Sequence, residues 1–359
     1  MSPAVHKERQ SNFELLRIIS MLLIVAVHYY EFGFSIPEDQ PVTFNYLFLR
    51  FFGFGGHMAV DIFVLISGYF LCVGKTSLKK AIKIWLQTAA AVLLGAVLGG
   101  SFGLKSIADA ALAIPKGYYW FITTYFLLYI FSDYLSAMLR ALGRKKHFIL
   151  LCLLLAVYSV LPTCLAMRMD SSNFMLFVTL YVIAAYIRMY SPKLLESKYC
   201  LVAGIGFHWL CWAASAVLVV LGGRYPAFLH LADRMSAASD ITIICAAVLI
   251  FAGFKNLDIG CSKLINEIGS STFGVYLIHA TSFVMTTVLV QTLRTPEFLG
   301  SRWLCLHAVA SVAVIFAGCA VIDILYRRLI EKPILTFLYK RIDIWGEKLR
   351  RHLPASDGQ

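Results

Sequence analysis

The chain has 359 residues, of which 60% are hydrophobic and only 14% charged, whereas soluble domains run near 45–50% apolar and about 25% charged. The apolar residues come in blocks of about 18 to 25, without helical or strand periodicity, which excludes one large water-soluble core and implies a polytopic α-helical membrane protein. A net charge of +12 would suit nucleic acid, but its distribution along the chain makes it a topological signal instead.

In chain order, the hydropathy blocks predict spans near 13–32, 57–74, 82–101, 118–138, 147–164, 174–190, 201–222, 240–254, 270–293 and 303–326. Ten crossings put both termini on one side. The N-terminal segment, the loops 75–83, 140–146, 188–198 and 255–263, and the C-terminal segment from Arg327 onward hold 24 of the 32 basic residues. Cytoplasmic loops carry the Lys/Arg excess, so both termini are expected in the cytoplasm. The expected organisation is an all-α transmembrane bundle over 1–335 and a basic cytoplasmic tail over 336–359. In that tail Lys340, Arg341, Lys348, Arg350 and Arg351 alternate with Ile342, Ile344, Trp345 and Leu349, the pattern of an amphipathic helix lying on the inner leaflet.

The longest outer connection, 31–56, contains an aromatic run from Phe44 to Phe52 that is too short for a span. It is expected to dip into the interface or cap a cavity. Nine cysteines, an odd number with no C-x-x-C pair, support neither a disulfide framework nor a zinc site, so no metal is expected. Neither a repeat of about 20–50 residues nor an inverted similarity between halves is visible, which disfavours a secondary transporter.

Ionisable side chains at membrane depth are costly and therefore informative. In the first span Arg17 and His28 are separated by ten residues, R-IISMLLIVAV-H. Eleven steps of about 100° return within roughly 20° of a whole number of turns, and eleven rises of about 1.5 Å separate the two by roughly 16 Å. Both side chains share one face, with Met21 and Ile24 between them. Arg17 also has a structural partner within reach in Glu14, three residues earlier. In the second span Asp61 lies near the outer end, at a depth similar to that of His28, as a carboxylate orienting a base would need to be. A helix-end aspartate held by the dipole is the alternative. Ser67-Gly68 forms a small step at mid-depth, and His279 falls near the middle of the ninth span. His208 and His307 have no charged neighbour at helical spacing and read as interior packing or hydrogen-bonding residues.

These motifs resemble the membrane-bound acyltransferase-3 family, whose members O-acylate polysaccharides and related cell-surface molecules. Arg17…His28 matches the family's opening R-x10-H, and Asp61…Ser67-Gly68-Tyr69 matches its D-x5-S-G followed by an aromatic. Trp120-Phe121 opens the fourth span as in the family, Gly274–His279 matches G-[IV]-Y-L-[IL]-H, and Glu331-Lys332-Pro333 matches E-[RK]-P. One departure is chemical: where many relatives carry R-x-x-R, this chain has Lys79, Lys80 and Lys83, which keep the charge but not the bidentate fork.

The resemblance implies an acyl-CoA donor, usually acetyl-CoA, and a hydroxyl-bearing cell-surface glycan or lipid-linked acceptor beyond a bacterial plasma membrane. Arg17, Lys80 and Lys83 would meet the CoA phosphates. His28 would act as general base or be acylated itself, with Asp61 fixing its tautomer. His279, Trp120 and Ser67 would shape the acceptor side or the channel. The competing class is a transporter or flippase using Arg17, Asp61, His28 and His279 as a proton relay.

Overall fold

In hydrocarbon a backbone must satisfy its own hydrogen bonds, so each apolar block is driven to become a helix. The computed structural model describes residues 10–36, 40–165, 172–223, 225, 227–235 and 237–352, and every regular element among them is helical. Helix α1 covers Ser11–Gly33 and α2 covers Phe44–Phe54. The Thr43 side chain caps α2 by accepting from the Tyr46 amide. Gly55 then leads into α3, Gly56–Leu71, so that Phe44–Leu71 is one apolar stretch of 28 residues. The aromatic run is thus a helix continuous with the next span, packed against α1.

Helix α4, Leu78–Leu98, starts where the Ser77 side chain accepts from the Lys80 amide at 3.2 Å. After α5, Leu104–Ala111, comes α6, Trp120–Leu155, followed by a π turn at Ala156–Val160 and by α7, Leu161–Leu165. A polar loop was expected near 140–146, but the backbone there is helical except at Gly143, where φ 67° and ψ 172° break the rod in two. Glycine takes that left-handed φ without the penalty a Cβ would bring.

The remaining elements are α8 (Asn173–Tyr190), α9 (Cys200–Gly222), α10 (Ala227–Arg234), α11 (Ile241–Lys255), α12 (Lys263–His279), α13 (Leu304–Tyr326) and α14 (Lys332–His352). The predicted span 270–293 is not one helix: α12 stops at His279, and the π segment Phe283–Thr292 leaves it at 80°. Seven helical stretches among the described residues are long and apolar enough to cross a membrane, eight with this bent pair.

Helix α1 is the centre of the bundle, in contact with α2, α3, α11, α12 and α13, while α3 packs on α8 and α11. A Cβ on Gly56 would overlap the Val27 side chain, so glycine is what lets α3 start against α1. Peripheral helices bury far less: α4 buries only Ile84, Thr88 and Ala91, and α9 turns Val202, Trp209, Leu210 and Val217 outward. Such outward apolar surface is what a lipid-facing helix needs.

Candidate active site

Between α1, α3, α4, α6 and α12 lies a cavity of ≈ 390 Å³. Its α1 wall is Arg17, Met21, Ile24, Val27, His28 and Glu31, the stripe that a 3.6-residue repeat brings to one face. Arg17 and His28 therefore stand at opposite ends of one space, as their spacing required.

At the Arg17 end the cavity is ringed by Lys80, Lys83 and Arg327. Three of these four cations are anchored by carboxylates. Arg17 Nη1 donates to Glu14 Oε1 at 2.5 Å. Lys83 Nζ lies 2.9 Å from Glu331 Oε1, and the buried Glu331 also accepts from Gln87 Nε2 at 3.1 Å. Arg327 Nε donates to Asp323 Oδ2 at 2.7 Å, while its two other nitrogens donate to Ser270 Oγ at 2.9 Å and Ser271 Oγ at 3.0 Å. Lys80 is different: it lies 5.0 Å from the centre of the Tyr129 ring, and among the described residues no carboxylate forms an ion pair with it. A ring of cations held open at a cavity mouth suits a polyanionic group.

Two glycines of α12 make room for the anchoring acids. A Cβ on Gly269 would sit 2.6 Å from Glu14 Oε2, and one on Gly274 would run into the Asp323 carboxylate. The glycine that opens the G-V-Y-L-I-H string is thus a seat for the acid that aims Arg327.

At the opposite end, His28 Nδ1 lies 2.9 Å from His279 Nε2, and His279 Nδ1 lies 2.7 Å from the Val275 carbonyl oxygen. A carbonyl only accepts, so His279 carries its proton on Nδ1, and in the neutral ring Nε2 is then the acceptor. His28 must donate from Nδ1. This leaves the lone pair of His28 on Nε2, for which no described residue is a hydrogen-bond partner, facing the cavity it lines. The tautomer of His28 follows from geometry alone.

The side chain that meets the His28 ring is therefore His279, and Asp61 makes no hydrogen bond to it among the described residues. The cavity face of α3 is His57, Val60, Phe63 and Ser67, and Asp61 points roughly a quarter turn away from it. Asp61 is fully buried, neither of its oxygens has a hydrogen-bond partner among the described residues, and its electrostatic neighbour is Asp240 at the start of α11. Ser67 and Trp120 do line the cavity, together with Tyr125.

Three lining residues escaped sequence reasoning. Glu31 follows His28 by three positions, His57 precedes Asp61 by four, and Arg327, counted only as tail charge, follows Asp323 by four. The spacings were visible, but not which way each face turns. His57 lies within electrostatic reach of both His28 and Glu31. Of the histidines read as interior, His307 donates from Nε2 to the Leu293 carbonyl at 2.9 Å, so in the neutral ring its Nδ1 accepts from Tyr29 Oη at 2.8 Å. His208 packs against Phe54, and its Nδ1 has no hydrogen-bond partner among the described residues.

A family model described as an acyltransferase domain matches residues 10–324. No curated protein and no solved structure shows a significant match. The matched span includes all of the cavity wall except Arg327, together with the two histidines.

Proposed function

Because the chain belongs to the acyltransferase-3 family, and is a multi-pass membrane acyltransferase on that ground, we propose that it transfers an acetyl or similar acyl group from cytoplasmic acyl-CoA to a hydroxyl of a cell-surface glycan. The membrane would be a bacterial plasma membrane. The single observation that carries the reading is one cavity with a cationic mouth at one end and an imidazole with a free Nε2 at the other.

Ten crossings with both termini in the cytoplasm would give this direction. They are reached when Gly143 divides Trp120–Leu165, the short apolar helix Ile241–Lys255 is counted, and the bent α12 pair is taken as one span. The Lys/Arg excess then lies inside, at the same end as Arg17, Lys80, Lys83 and Arg327. CoA phosphates would be held at that mouth. The pantetheine arm would follow Met21 and Ile24, and the thioester carbonyl would reach His28.

In the transfer itself, His28 Nε2 takes the proton of the acceptor hydroxyl while its oxygen attacks the thioester carbon. The tetrahedral intermediate expels the CoA thiolate, which recovers the proton from His28 Nε2. No net proton is gained or lost. His279 accepts from His28 Nδ1 throughout, holding the ring in place as charge develops on it.

The test is purified protein in nanodiscs with radiolabelled acetyl-CoA and glycan from cells lacking the protein. Label should appear as glycan ester and depend on His28. Movement of a solute across vesicles with no acyl donor, and no ester formed, would instead establish a transporter.

A further inference from the structure

Helix α4 carries two of the mouth cations near its start, and its far end forms one wall of another cavity, of ≈ 280 Å³. From Lys80 to Gly95 in that wall the helix rises by about 22 Å, so this cavity and the cationic mouth lie at opposite ends of α4. The other walls come from the segment 101–119 and from the connector 280–282, which follows His279 at the 80° bend. Every residue of these walls is described.

The polar lining is held by its own hydrogen bonds. Ser106 Oγ donates to the Ser101 carbonyl oxygen at 2.7 Å and accepts from the Gly103 amide at 3.2 Å, while Thr281 Oγ1 donates to the Ile278 carbonyl oxygen at 2.8 Å. Asp109 Oδ1 accepts from Lys116 Nζ at 2.7 Å, and a carboxylate with one such partner can accept further bonds. Tyr119, just before α6, differs from these. It is only 7% exposed, yet its hydroxyl has no hydrogen-bond partner among the described residues, where a buried phenol normally finds one. Its ring centre lies 6.2 Å from that of Tyr276, a residue of the catalytic cavity whose own ring is 5.8 Å from that of His279. A carboxylate already paired with a lysine repels a second anion but accepts from hydroxyls, and a phenol without a partner can donate to one. Convergent groups of this kind suit a polyhydroxylated ring.

We propose that this cavity is a carbohydrate subsite, which holds one sugar unit of the acceptor by hydrogen bonds to Asp109 and Tyr119 outside the reacting cavity. The inference rests on the acyl-transfer reading. It adds where the acceptor is gripped and by which groups.

Two measurements on the nanodisc-reconstituted protein test it, with the glycan fraction from cells lacking the protein as the probe. The first follows ester formation from radiolabelled acetyl-CoA. Tyr119→Phe removes the hydroxyl and keeps the ring beside Tyr276, so the Michaelis constant for glycan should rise by about three- to tenfold, with turnover at saturating glycan and the constant for acetyl-CoA each within about twofold. Asp109→Asn should raise the glycan constant by about tenfold or more. Lys116→Met breaks the same ion pair but leaves the carboxylate, and should stay within about threefold. The second measurement is retention of tritiated glycan on the nanodiscs with no acyl donor, which Tyr119→Phe and Asp109→Asn should both weaken. Unaltered glycan dependence and retention in these two variants, or equal losses from Asp109→Asn and Lys116→Met, overturn the subsite while leaving acyl transfer intact. A wild-type protein that esterifies no glycan from acetyl-CoA overturns the acyl-transfer reading itself, and wild-type nanodiscs that retain no glycan overturn the subsite whichever way that result falls.

Discussion

The two ends of the catalytic cavity solve opposite electrostatic problems. At the mouth, four cations converge, and three are held by the buried or nearly buried acids Glu14, Asp323 and Glu331. At the far end, neutral rings are joined by hydrogen bonds, His28 to His279 to the Val275 carbonyl, and the acid expected there lies on another face of α3. On the proposed acyl transfer, the mouth would hold a charge that arrives with the donor. The far end would carry charge only during reaction, in a space where an unpaired ion is costly. The placement of acids would then separate binding from chemistry within one channel.

The comparison can be broken most directly at the base. His28→Ala should lower acyl transfer by about 10²-fold or more with folded protein still in the membrane. Near-normal ester formation would remove His28 from the chemistry. His279 comes next. His279→Ala leaves the His28 Nδ1–H without its acceptor, a loss of about 1–3 kcal/mol, which at the transition state amounts to roughly 5- to 150-fold in turnover. His279→Gln, whose amide oxygen can accept, should recover part of it. Equal damage from both variants would show that the ring fills space and orients nothing.

At the mouth the effects should be smaller and should appear in a different constant. Arg17→Ala should raise the Michaelis constant for acetyl-CoA by about tenfold, with the acceptor's nearly unmoved, and Arg17→Lys should restore part of the affinity because charge returns without the fork. A loss confined to acceptor use would reverse the assignment of the two ends. Gly274→Ala tests the anchoring itself. Its methyl has no room beside Asp323, so the protein should lose about 1–3 kcal/mol of stability and bind CoA more weakly as Arg327 is released. Unchanged thermal stability and CoA binding would mean that α13 yields without consequence.

The smallest expected effect belongs to Asp61. Asp61→Asn keeps the shape and removes a buried acid that has no hydrogen-bond partner among the described residues and lies beside Asp240, so stability should hold or rise, and turnover should stay within about twofold. A steep fall in turnover would restore Asp61 as a partner of the base and erase the contrast between the two ends.

Much of this was legible before any tertiary contact was known, and the reasons are local. The helices form where 18 or more apolar residues meet hydrocarbon, and Arg17 and His28 share a face because eleven residues is close to three turns. The pairing of Glu14 with Arg17 is likewise an i, i+3 relation on one helix. Orientation was not legible. The second span offered His57 and Asp61 one turn apart, and depth alone favoured Asp61 as the neighbour of His28; the packing of α3 on α8 and α11 turns that side chain away. Nor did hydropathy reveal that the ninth block bends by 80° just after His279, since an apolar average is blind to direction.

The amino-acid sequence by itself determined the all-helical membrane class, the uneven spread of Lys and Arg along the chain, the family resemblance and the line from Arg17 to His28. Each depends on composition or on neighbours within a few turns of one helix. Only the tertiary structure decided the partner of the base, because His28 and His279 lie 251 residues apart and no local period links them. It also decided which acids anchor the mouth, since Glu331 meets Lys83 and Asp323 meets the gap left by Gly274 only when α13 closes against α12 and the chain beyond it reaches α4. Periodicity tells which residues of a helix face the same way; what they face is settled by the packing of the whole bundle.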